Sequence, residues 1–368
     1  MKGLVSGKRG LQAWSDEARH AATARRALLR WFRRHARSLP WRENPSPYAV
    51  WVSEVMLQQT QVGAVIPYFR RFLHVFPTVT SLARAPLERV LELWSGLGYY
   101  RRARNLHHAA QLVVEKFDGQ FPRDYHQARS LPGVGDYTAR AVLSIAYNLP
   151  LAVLDGNVAR GVARLRALSG NLHQPIFRRT VEREIAGLLS QRQPGNFNQA
   201  LMELGQTVCL PRAPRCPACP LRRSCQAHRS GRAESYPTPR PRRATELHHL
   251  AAAIIRYDGE VAMVRGLDDG LLGDLWNFPS AFGSSRANAR AQLEDKLRLL
   301  TRGPVRFRPS LGELRHGITF RSIRVALHPI AISGRLAEGT ARWFPLARLP
   351  RAAVSQLARK IAEKIREE

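Results

Sequence analysis

Apolar residues recur at spacings of three and four through most of the first 190 positions. This period is that of one face of an α-helix, and it predicts helices over 22–37, 47–61, 64–75, 86–93, 101–117, 136–147, 156–168 and 175–189. After position 248 short alternating runs, typical of half-buried strands, follow at 249–256, 260–264, 305–308 and 322–328, with a helix-like stretch near 286–300. The pattern predicts a multidomain chain, an all-α domain followed by a smaller α/β domain.

The boundary between these domains is marked by composition. Residues 230–244 contain three prolines, a glycine and repeated arginines without an apolar period, which is the composition of a linker. We therefore expect a basic leader over 1–22, a helical domain over 23–229, a linker over 230–247 and the α/β domain over 248–368. The first 22 residues lack the apolar core of a secretory signal, and no run of about 18 apolar residues could span a membrane, so we expect a soluble intracellular protein.

The charge of the chain favours a polyanionic partner. Its 58 basic residues exceed 28 acidic ones, which gives a formal net charge of +30. Nucleic acid, a membrane surface or an acidic substrate would explain such an excess. Only six of the basic residues are lysine, and the arginine guanidinium binds phosphate oxygens in a bidentate manner. Nucleic acid is the partner that this composition suits best.

Four cysteines lie within a segment of seventeen residues, and the chain has no others: Cys209, Cys216, Cys219 and Cys225. Four thiolates in one loop can bind a tetrahedral metal ion or an iron–sulfur cluster. Disulfides are disfavoured because disulfide-rich domains are typically small and secreted. Zinc stays open, although zinc sites usually present two close pairs and only Cys216 and Cys219 form one here. The spacing alone places an iron–sulfur cluster modestly ahead.

A glycine-containing turn, Leu131-Pro-Gly-Val-Gly135, separates two predicted helices. Its glycines would let the backbone approach a ligand closely, and Asp136 is the expected N-cap of the next helix. Free amides at a helix N-terminus suit a phosphate. The turn therefore predicts a helix-hairpin-helix that binds the DNA backbone without reading the sequence, through Gly133, Val134 and Gly135.

Two acidic residues stand out as candidates for chemistry. Glu54 is the only charged residue of the apolar segment 50–61, so it is either a solvated outlier or a desolvated carboxyl whose raised pKa suits a general acid. Asp155, in Leu154-Asp-Gly-Asn-Val158, precedes a predicted helix and by itself reads best as a helix cap. The presence of both favours an acid pair that acts on a substrate.

The order of these motifs resembles that of the endonuclease III-like DNA glycosylases, a helix-hairpin-helix superfamily. The segments 51–62, 96–106 and 154–158 are similar to those of one branch, the adenine DNA glycosylases of the MutY family. The resemblance is strong over 25–230 and weaker beyond. It implies a [4Fe–4S] cluster on the four cysteines of the loop 209–225. Tyr137 occupies the position of the lysine nucleophile of the lyase branch, which indicates an enzyme that cuts only the glycosidic bond.

The resemblance also implies roles for individual residues. Glu54 would protonate the N7 atom of a flipped adenine, and Asp155 would stabilise the oxocarbenium-like sugar. Asn157 would orient that site and Tyr137 would bound it. The side chains at family positions that contact the DNA around the lesion pair are Leu57, Gln59 and Tyr99. Gln58 is a further expected DNA contact, because its amide group suits base edges or a gap in the duplex.

The C-terminal domain resembles a Nudix-like lesion-recognition domain, mainly over 271–279. It lacks a Nudix box, so we expect it to recognise a lesion and not to hydrolyse nucleotides. Related domains recognise 8-oxoguanine through a Phe-Ser-His loop, whose position is taken here by Ile318-Thr319-Phe320. Thr319 keeps the hydroxyl and is the expected lesion contact, whereas Phe320 replaces the histidine.

The function that follows is a monofunctional adenine DNA glycosylase of base-excision repair. It is expected to act as a monomer on adenine opposite 8-oxoguanine or guanine in double-stranded DNA, in a bacterial cytoplasm and at the nucleoid. Two alternatives stay open. One is an endonuclease III-like pyrimidine-lesion glycosylase with lyase activity, and the other is a helix-hairpin-helix DNA-binding protein without catalysis.

Overall fold

A computed structural model describes residues 5–239, 244–266, 275–301, 304–318, 320–332, 336 and 341–366, with side chains described from position 19 and those of 350 and 351 left out. The chain divides into two compact units. The first comprises Met1–Ala83 and His108–Pro241, and the second comprises Arg84–His107 and Arg242–Glu368. The sequence placed 84–107 in the helical domain, whereas the contacts group this segment with the C-terminal residues.

The first unit is helical, as the apolar period predicts. In its described part the helices are α1 (Val5–His35), α2 (Pro40–Glu43), α3 (Pro47–Leu57), α4 (Val62–Val75), α5 (Val79–Arg84), α8 (Tyr125–Ser130), α9 (Asp136–Tyr147), α10 (Gly156–Leu165), α11 (Pro175–Leu188), α12 (Pro194–Thr207) and α13 (Gln226–Arg229). The boundary between the units falls within α5 and also within α7 (Arg101–Lys116), while α6 (Leu87–Trp94) belongs to the second unit. Helix α1 begins at Val5, far before the predicted start at 22, so helix covers the described part of the expected leader.

In the described part of the first unit, five helices were not predicted: α2, α5, α8, α12 and α13. The longest of them is α12. It packs against α1, α9 and α10 and buries residues on every side, including the polar Asn198 and Glu203. A helix that is surrounded has no polar face, so its sequence lacks the amphipathic period on which the prediction depends. The apolar cluster around it joins α1, α10, α11 and α12 into one core.

The predicted hairpin is present between α8 and α9. Gly133 has a φ of 75°, in the left-handed region that glycine adopts without the steric cost of a Cβ atom. The expected N-cap was wrong by one position, because Gly135 caps α9 and Asp136 is its first residue. The carboxylate of Asp136 instead accepts hydrogen bonds from the Tyr125 hydroxyl and from Arg140 Nε, the latter at 2.7 Å.

The second unit contains a mixed sheet. Its described strands are β1 (Glu246–Tyr257), β2 (Glu260–Arg265), β3 (Trp276–Asn277), β4 (Ser280–Gly283), β5 (Val305–Phe307), β6 (Glu313–Ile318), β7 (Arg321–Ile332) and β8 (Arg342–Pro345). The main path runs β3-β2-β1-β7-β5, with β4 paired to β1, β6 to β7 and β8 to β2. The central pair β1 and β7 is parallel, with Leu250 opposite Val325, and the other pairs are antiparallel.

Strand β1 shows why this unit has α/β layers. Residues 250–255 are all buried, because both faces of the strand are covered. Even positions such as Leu250 and Ile254 join a core with α15 (Gln356–Lys364). Odd positions such as Ile255 join a core with α14 (Arg286–Thr301). This layering of helix, sheet and helix is the one expected of a Nudix-like domain; α15 and several short strands were not predicted.

The start of the expected linker is anchored on the first unit. Thr238 donates its backbone N–H to Gly170 O at 2.9 Å, and its hydroxyl accepts from Gly170 N at 3.0 Å. Positions 240–243 lie outside the described residues, as do 271–274 of the segment that resembles a Nudix-like domain. In the described part of the chain, no helix combines the length and the apolar character needed to cross a membrane.

Candidate active site

Glu54 lies inside the first unit on helix α3. The helix begins at Pro47, and the Ser46 side chain caps it by accepting a hydrogen bond from Ala49 N at 3.2 Å, as the sequence predicts. Its residues 49–56 are buried, and Glu54 is only 5% exposed. The structure therefore identifies Glu54 as the desolvated carboxyl of the two alternatives, because its surroundings are mainly apolar.

The Glu54 carboxylate meets the Tyr137 hydroxyl, which donates a hydrogen bond to Oε2 at 2.7 Å. Burial raises the pKa of Glu54 to about 7, with Asp155 adding to the rise, while the Tyr137 hydrogen bond and the Arg42 charge oppose it. Burial and the neighbouring carboxylates raise the pKa of Tyr137 well above its usual value. Near neutral pH Tyr137 is therefore a neutral donor, and Glu54 can hold or release a proton.

Asp155 is the N-cap of α10, and its Oδ1 accepts a hydrogen bond from Val158 N at 2.6 Å. Its other oxygen accepts from Asn157 Nδ2 at 3.0 Å. The capping role weighed for Asp155 is thus present. It does not exclude chemistry, because Asp155 also lines the cleft that contains Glu54, Tyr137 and Asn157. The structure brings these four predicted residues together.

The cleft has a volume of about 740 Å³, and one of its walls carries an ion network that the sequence did not reveal. Glu203, 1% exposed, accepts from Arg37 Nε at 2.6 Å and from Arg42 Nη2 at 2.9 Å. Arg42 Nε also donates to Gln199 Oε1 at 3.0 Å. These partners are more than 150 positions apart in the sequence, so no local pattern could have indicated their contact. The network holds the Arg42 guanidinium in place, and its positive charge acts on Glu54.

The four cysteines of the loop 209–225 line a single cavity of the first unit. They form no disulfide, and three of them pack against the apolar core: Cys209, Cys219 and Cys225. Among the described residues, no three or more His, Cys, Asp or Glu side chains are grouped closely enough to hold a single metal ion as they stand. The convergence of four sulfur donors on one cavity is nevertheless the donor set that a cysteine-bound cluster requires.

Two arginines of α10 hold the cysteine loop. Arg164, 2% exposed, donates to Leu210 O at 2.6 Å, to Pro211 O at 2.9 Å and to Cys209 Sγ at 3.4 Å. Arg160 donates from Nε to Cys209 O at 2.8 Å and from Nη2 to Asn157 Oδ1 at 2.8 Å. A chain of hydrogen bonds thus joins Cys209 through Arg160 and Asn157 to Asp155. Neither arginine was predicted as a site residue, because a single arginine in a basic helix gives no signal.

The side chains expected to contact DNA have different surroundings. Leu57 ends α3, Gln58 donates to Thr138 Oγ1 at 3.3 Å, and the exposed Gln59 has a φ of 57°. These three residues line the cleft with Glu54. In the hairpin, Val134 is buried. Tyr99 belongs to the second unit and is 47% exposed. Thr319 lies outside the described residues.

Comparison with known proteins decides the family. Residues 52–186 match the HhH-GPD superfamily of base excision DNA repair proteins. The adenine DNA glycosylase of Rattus norvegicus is 34% identical over 92% of this chain and 77% of its own length, and that of Homo sapiens is 33% identical over 92% and 73%. The chain belongs to the adenine DNA glycosylase family. This adenine DNA glycosylase is therefore an enzyme of base-excision repair that removes adenine from DNA.

Solved structures confirm the helical fold. A thermostable thymine-DNA glycosylase superposes with a TM-score of 0.53 at 24% identity, over 58% of this chain and 98% of that one. A trapped endonuclease III–DNA covalent intermediate gives 0.50 at 23% identity over the same shares. Membership of the adenine DNA glycosylase family contradicts both alternatives, the pyrimidine-lesion glycosylase with lyase activity and the DNA-binding protein without catalysis. The mispair that the adenine DNA glycosylase recognises and the duty of each residue are questions of mechanism.

Proposed function

We propose that this adenine DNA glycosylase removes adenine opposite 8-oxoguanine or guanine, with Glu54 as general acid and Asp155 as the carboxylate that stabilises the sugar cation. The observation that supports this proposal is that Glu54 and Asp155 line the same cleft in different surroundings. Glu54 is buried with a pKa of about 7 and lines one cleft with Asp155, which stands in a polar, hydrogen-bonded position. Different surroundings assign different duties to two carboxyl groups, as in glycosidases.

Excision begins when the target nucleotide leaves the base stack and enters the cleft, because the glycosidic bond cannot be reached inside the duplex. Protonated Glu54 donates its proton to adenine N7. The C1′–N9 bond then breaks, and its electron pair leaves with the adenine, which is a neutral leaving group once protonated. The Tyr137 hydroxyl, hydrogen-bonded to Glu54 Oε2, holds the carboxyl in place during the transfer.

Bond cleavage leaves an oxocarbenium-like charge on the deoxyribose, and Asp155 supports it. Asn157 donates to one Asp155 oxygen at 3.0 Å, and the backbone of α10 donates to the other at 2.6 Å. Both bonds hold the carboxyl group in a fixed orientation as charge develops on the sugar. A water molecule then forms a bond to C1′ through its oxygen and loses one proton to the solvent, which leaves an abasic site.

Binding to DNA is assigned to the hairpin, to residues beside the cleft, to Tyr99 and to the C-terminal domain. The hairpin Gly133–Val134–Gly135 would contact phosphates, and Leu57, Gln58 and Gln59 would fill the duplex beside the cleft. Tyr99 would insert near the lesion pair. Recognition of 8-oxoguanine is assigned to the C-terminal domain, at Thr319, with Phe320 in place of the histidine of related loops. Since Phe320 cannot donate a hydrogen bond from its ring, we expect recognition there to depend on Thr319 and on backbone groups.

The cysteine loop is proposed to hold a [4Fe–4S] cluster through Cys209, Cys216, Cys219 and Cys225, whose side chains line one cavity. The cluster would order the loop and take no part in glycosidic cleavage. We further propose that the enzyme acts as a monomer at the nucleoid of a bacterium, in the cytoplasm. The formal charge of +30 supports binding to chromosomal DNA.

Single-turnover excision on matched duplexes tests the substrate assignment. Adenine would be placed opposite 8-oxoguanine, guanine or thymine, and a thymine-glycol duplex would be run with borohydride. We expect adenine release to be fastest opposite 8-oxoguanine, slower opposite guanine and slowest opposite thymine, with no enzyme trapped on DNA. Equal rates for all opposing bases would remove lesion recognition from the proposal. Trapping on thymine glycol would contradict the assignment of Tyr137 to a non-nucleophilic role.

A further inference from the structure

The loop that carries Tyr99 is strained and tightly held. Tyr99 has a φ of 49°, in the left-handed region that residues with a Cβ atom rarely adopt because of steric strain. Its side chain is nevertheless 47% exposed, although the neighbouring Tyr100 is buried. Such a conformation persists only where the surroundings enforce it, so the contacts that enforce it indicate what the loop is for.

Some of these contacts come from the loop's own neighbours. Trp94 Nε1 and Arg102 Nη2 each donate to Gly98 O at 3.1 Å. The Arg102 guanidinium lies 5.3 Å from the centre of the Tyr99 ring, within the range of a cation–π interaction. The carbonyl before Tyr99 and the ring itself are therefore both restrained from within the segment 84–107.

Other contacts come from the C-terminal part of the same unit. Tyr100, next to Tyr99, donates its hydroxyl to Val354 O at 3.3 Å and accepts from Gly96 N at 3.1 Å. Ser95, 4% exposed, donates to Ala352 O at 3.1 Å. Arg359 of α15 donates from Nη2 to Ser95 Oγ at 2.5 Å. Both sides of the Gly96–Gly98 turn are thus tied to residues 352–359.

We propose that Arg359 is a positioning residue: through Ser95, and beside the Tyr100 contact with Val354, it holds the loop in the conformation that presents Tyr99 to DNA. The inference rests on the proposed function in one respect, the contact of Tyr99 with the duplex. It gives the C-terminal domain a second duty, because α15 then sets the geometry of an inserted aromatic side chain in addition to supporting lesion recognition.

These contacts could serve only to join the segment 84–107 to the C-terminal residues, without positioning Tyr99. The two roles can be distinguished, because another ion pair in the unit joins the same segments away from the loop. Arg342 Nη1 pairs with Glu88 Oε1 at 3.1 Å, and both side chains are about half exposed. That pair joins the same two segments and is screened by solvent. It does not touch residues 95–100 in any hydrogen bond described. Arg342→Ala is therefore a matched control that removes an arginine contact between the segments while leaving the loop's own hydrogen bonds in place.

A double-mutant cycle on the full chain tests the inference. Single-turnover adenine excision and duplex dissociation constants would be measured for Tyr99→Ala, Arg359→Met, the double variant and Arg342→Ala. Tyr99→Ala should weaken duplex binding at least about tenfold through lost stacking. Arg359→Met should lose about five- to tenfold in the presence of Tyr99 and less than about twofold in its absence, because contacting residues couple. Arg342→Ala should match the wild type.

Two outcomes would overturn the inference. If Arg359→Met costs the same factor with and without Tyr99, Arg359 acts independently of Tyr99, although the proposed function stands. If Tyr99→Ala binds and excises like the wild type, the DNA contact of Tyr99 fails and the inference fails with it. Should Arg359→Met unfold in urea earlier than the wild type, Ser95→Ala replaces it in the cycle, since it removes the same contact with a smaller change.

Discussion

Two carboxyl groups in one cleft differ in how they are held, and this difference suits them to different steps. Glu54 projects from an apolar helix and contacts the Tyr137 hydroxyl. Burial raises the pKa of its carboxyl group to about 7, so part of the enzyme keeps this proton near neutral pH. Asp155 accepts hydrogen bonds from a helix amide and from Asn157, so both of its oxygens are held by polar donors. The proton donor and the cation stabiliser are therefore separated by environment, although both are simple carboxylic acids.

The hydrogen bond from Tyr137 gives a pH prediction. General-acid catalysis requires protonated Glu54, so kcat/KM should fall as the pH rises through about 7, the pKa of Glu54 in the free enzyme. The Tyr137 hydroxyl favours the ionised carboxylate and lowers that pKa. Tyr137→Phe removes this effect, raises the pKa of Glu54 and should move the alkaline limb to higher pH, by about one pH unit. Rate profiles of both enzymes on one duplex measure it.

An alkaline limb that stays in place in Tyr137→Phe, or moves to lower pH, would contradict this account of Glu54. Tyr125→Phe provides the control. Its hydroxyl bonds to Asp136, outside the residues that line the cleft, so its removal should leave the limb of the profile where the wild type has it.

Residues of this site differed in how far the sequence could indicate them. Glu54 was predictable because one acid in an apolar helix is conspicuous, and the structure shows that it is buried. The network of Glu203 with Arg37 and Arg42 was not, because its members are ordinary charged residues until the fold brings them together. Asp155 carried a local signal for a helix cap only, and its place in the cleft depends on the packing of α10 beside α12.

At the scale of elements, α10 connects the cysteine loop to the cleft. Helix α12 comes so close to it that a Cβ atom on Gly205 would lie 2.7 Å from Asn157 Cβ. Arg160 Nη2 lies in this contact, donating to Gly205 O at 2.7 Å as well as to Asn157 Oδ1. Its Nε bonds to Cys209 O at 2.8 Å. The position of Asn157, and through it that of Asp155, thus depends on one partly buried guanidinium, that of Arg160.

Substitution of Arg160 should therefore slow chemistry more than it weakens binding. We expect Arg160→Gln to reduce the single-turnover excision rate about tenfold or more, because Asn157 and the loop lose a charged donor with several bonds. Duplex binding should change much less. The iron content and visible absorption of the purified variant would be measured beside the rate, so that a loss of loop structure is seen separately.

Arg166→Gln is the matched control for the same helix. Arg166 follows α10 and pairs with Glu184 at 2.9 Å, with about a quarter of each side chain exposed. It should retain excision close to the wild-type rate. Equal losses in the two variants would show that any arginine of this helix supports stability only, and would remove Arg160 from the alignment of Asp155.

Secondary structure followed the sequence where an element has two different faces. Helix α10 has an apolar and a polar side, and the period predicted it. Helix α12 and strand β1 are covered on more than one side, and their outcomes differ. Strand β1 was predicted, although as an alternating half-buried run, whereas its residues 250–255 are all buried. The polar Asn198 and Glu203 inside α12 interrupt the apolar pattern of that helix. The sequence therefore gives little indication of buried polar residues whose partners are far away along the chain.

At the scale of the whole molecule, charge, units and chemistry agree. The chain carries a formal charge of +30, belongs to a family of DNA repair enzymes over 92% of its length, and contains a helical unit with the cleft and a second unit with the sheet. The assignment of 84–107 to the second unit was not predictable. Its helical period is ordinary, and only contacts such as Ser95 with Ala352 reveal the grouping.

The measurement that tests the account most directly is single-turnover adenine excision by Glu54→Gln, with duplex binding measured on the same preparation. A general acid that acts in the transition state contributes about a hundredfold to ten-thousandfold, so excision should fall by that factor while the dissociation constant changes less than about twofold. Glu88→Gln, an exposed carboxyl on α6, should excise like the wild type. Excision by Glu54→Gln at the wild-type rate, or an equal loss of binding and excision, would contradict the assignment of Glu54 as the acid.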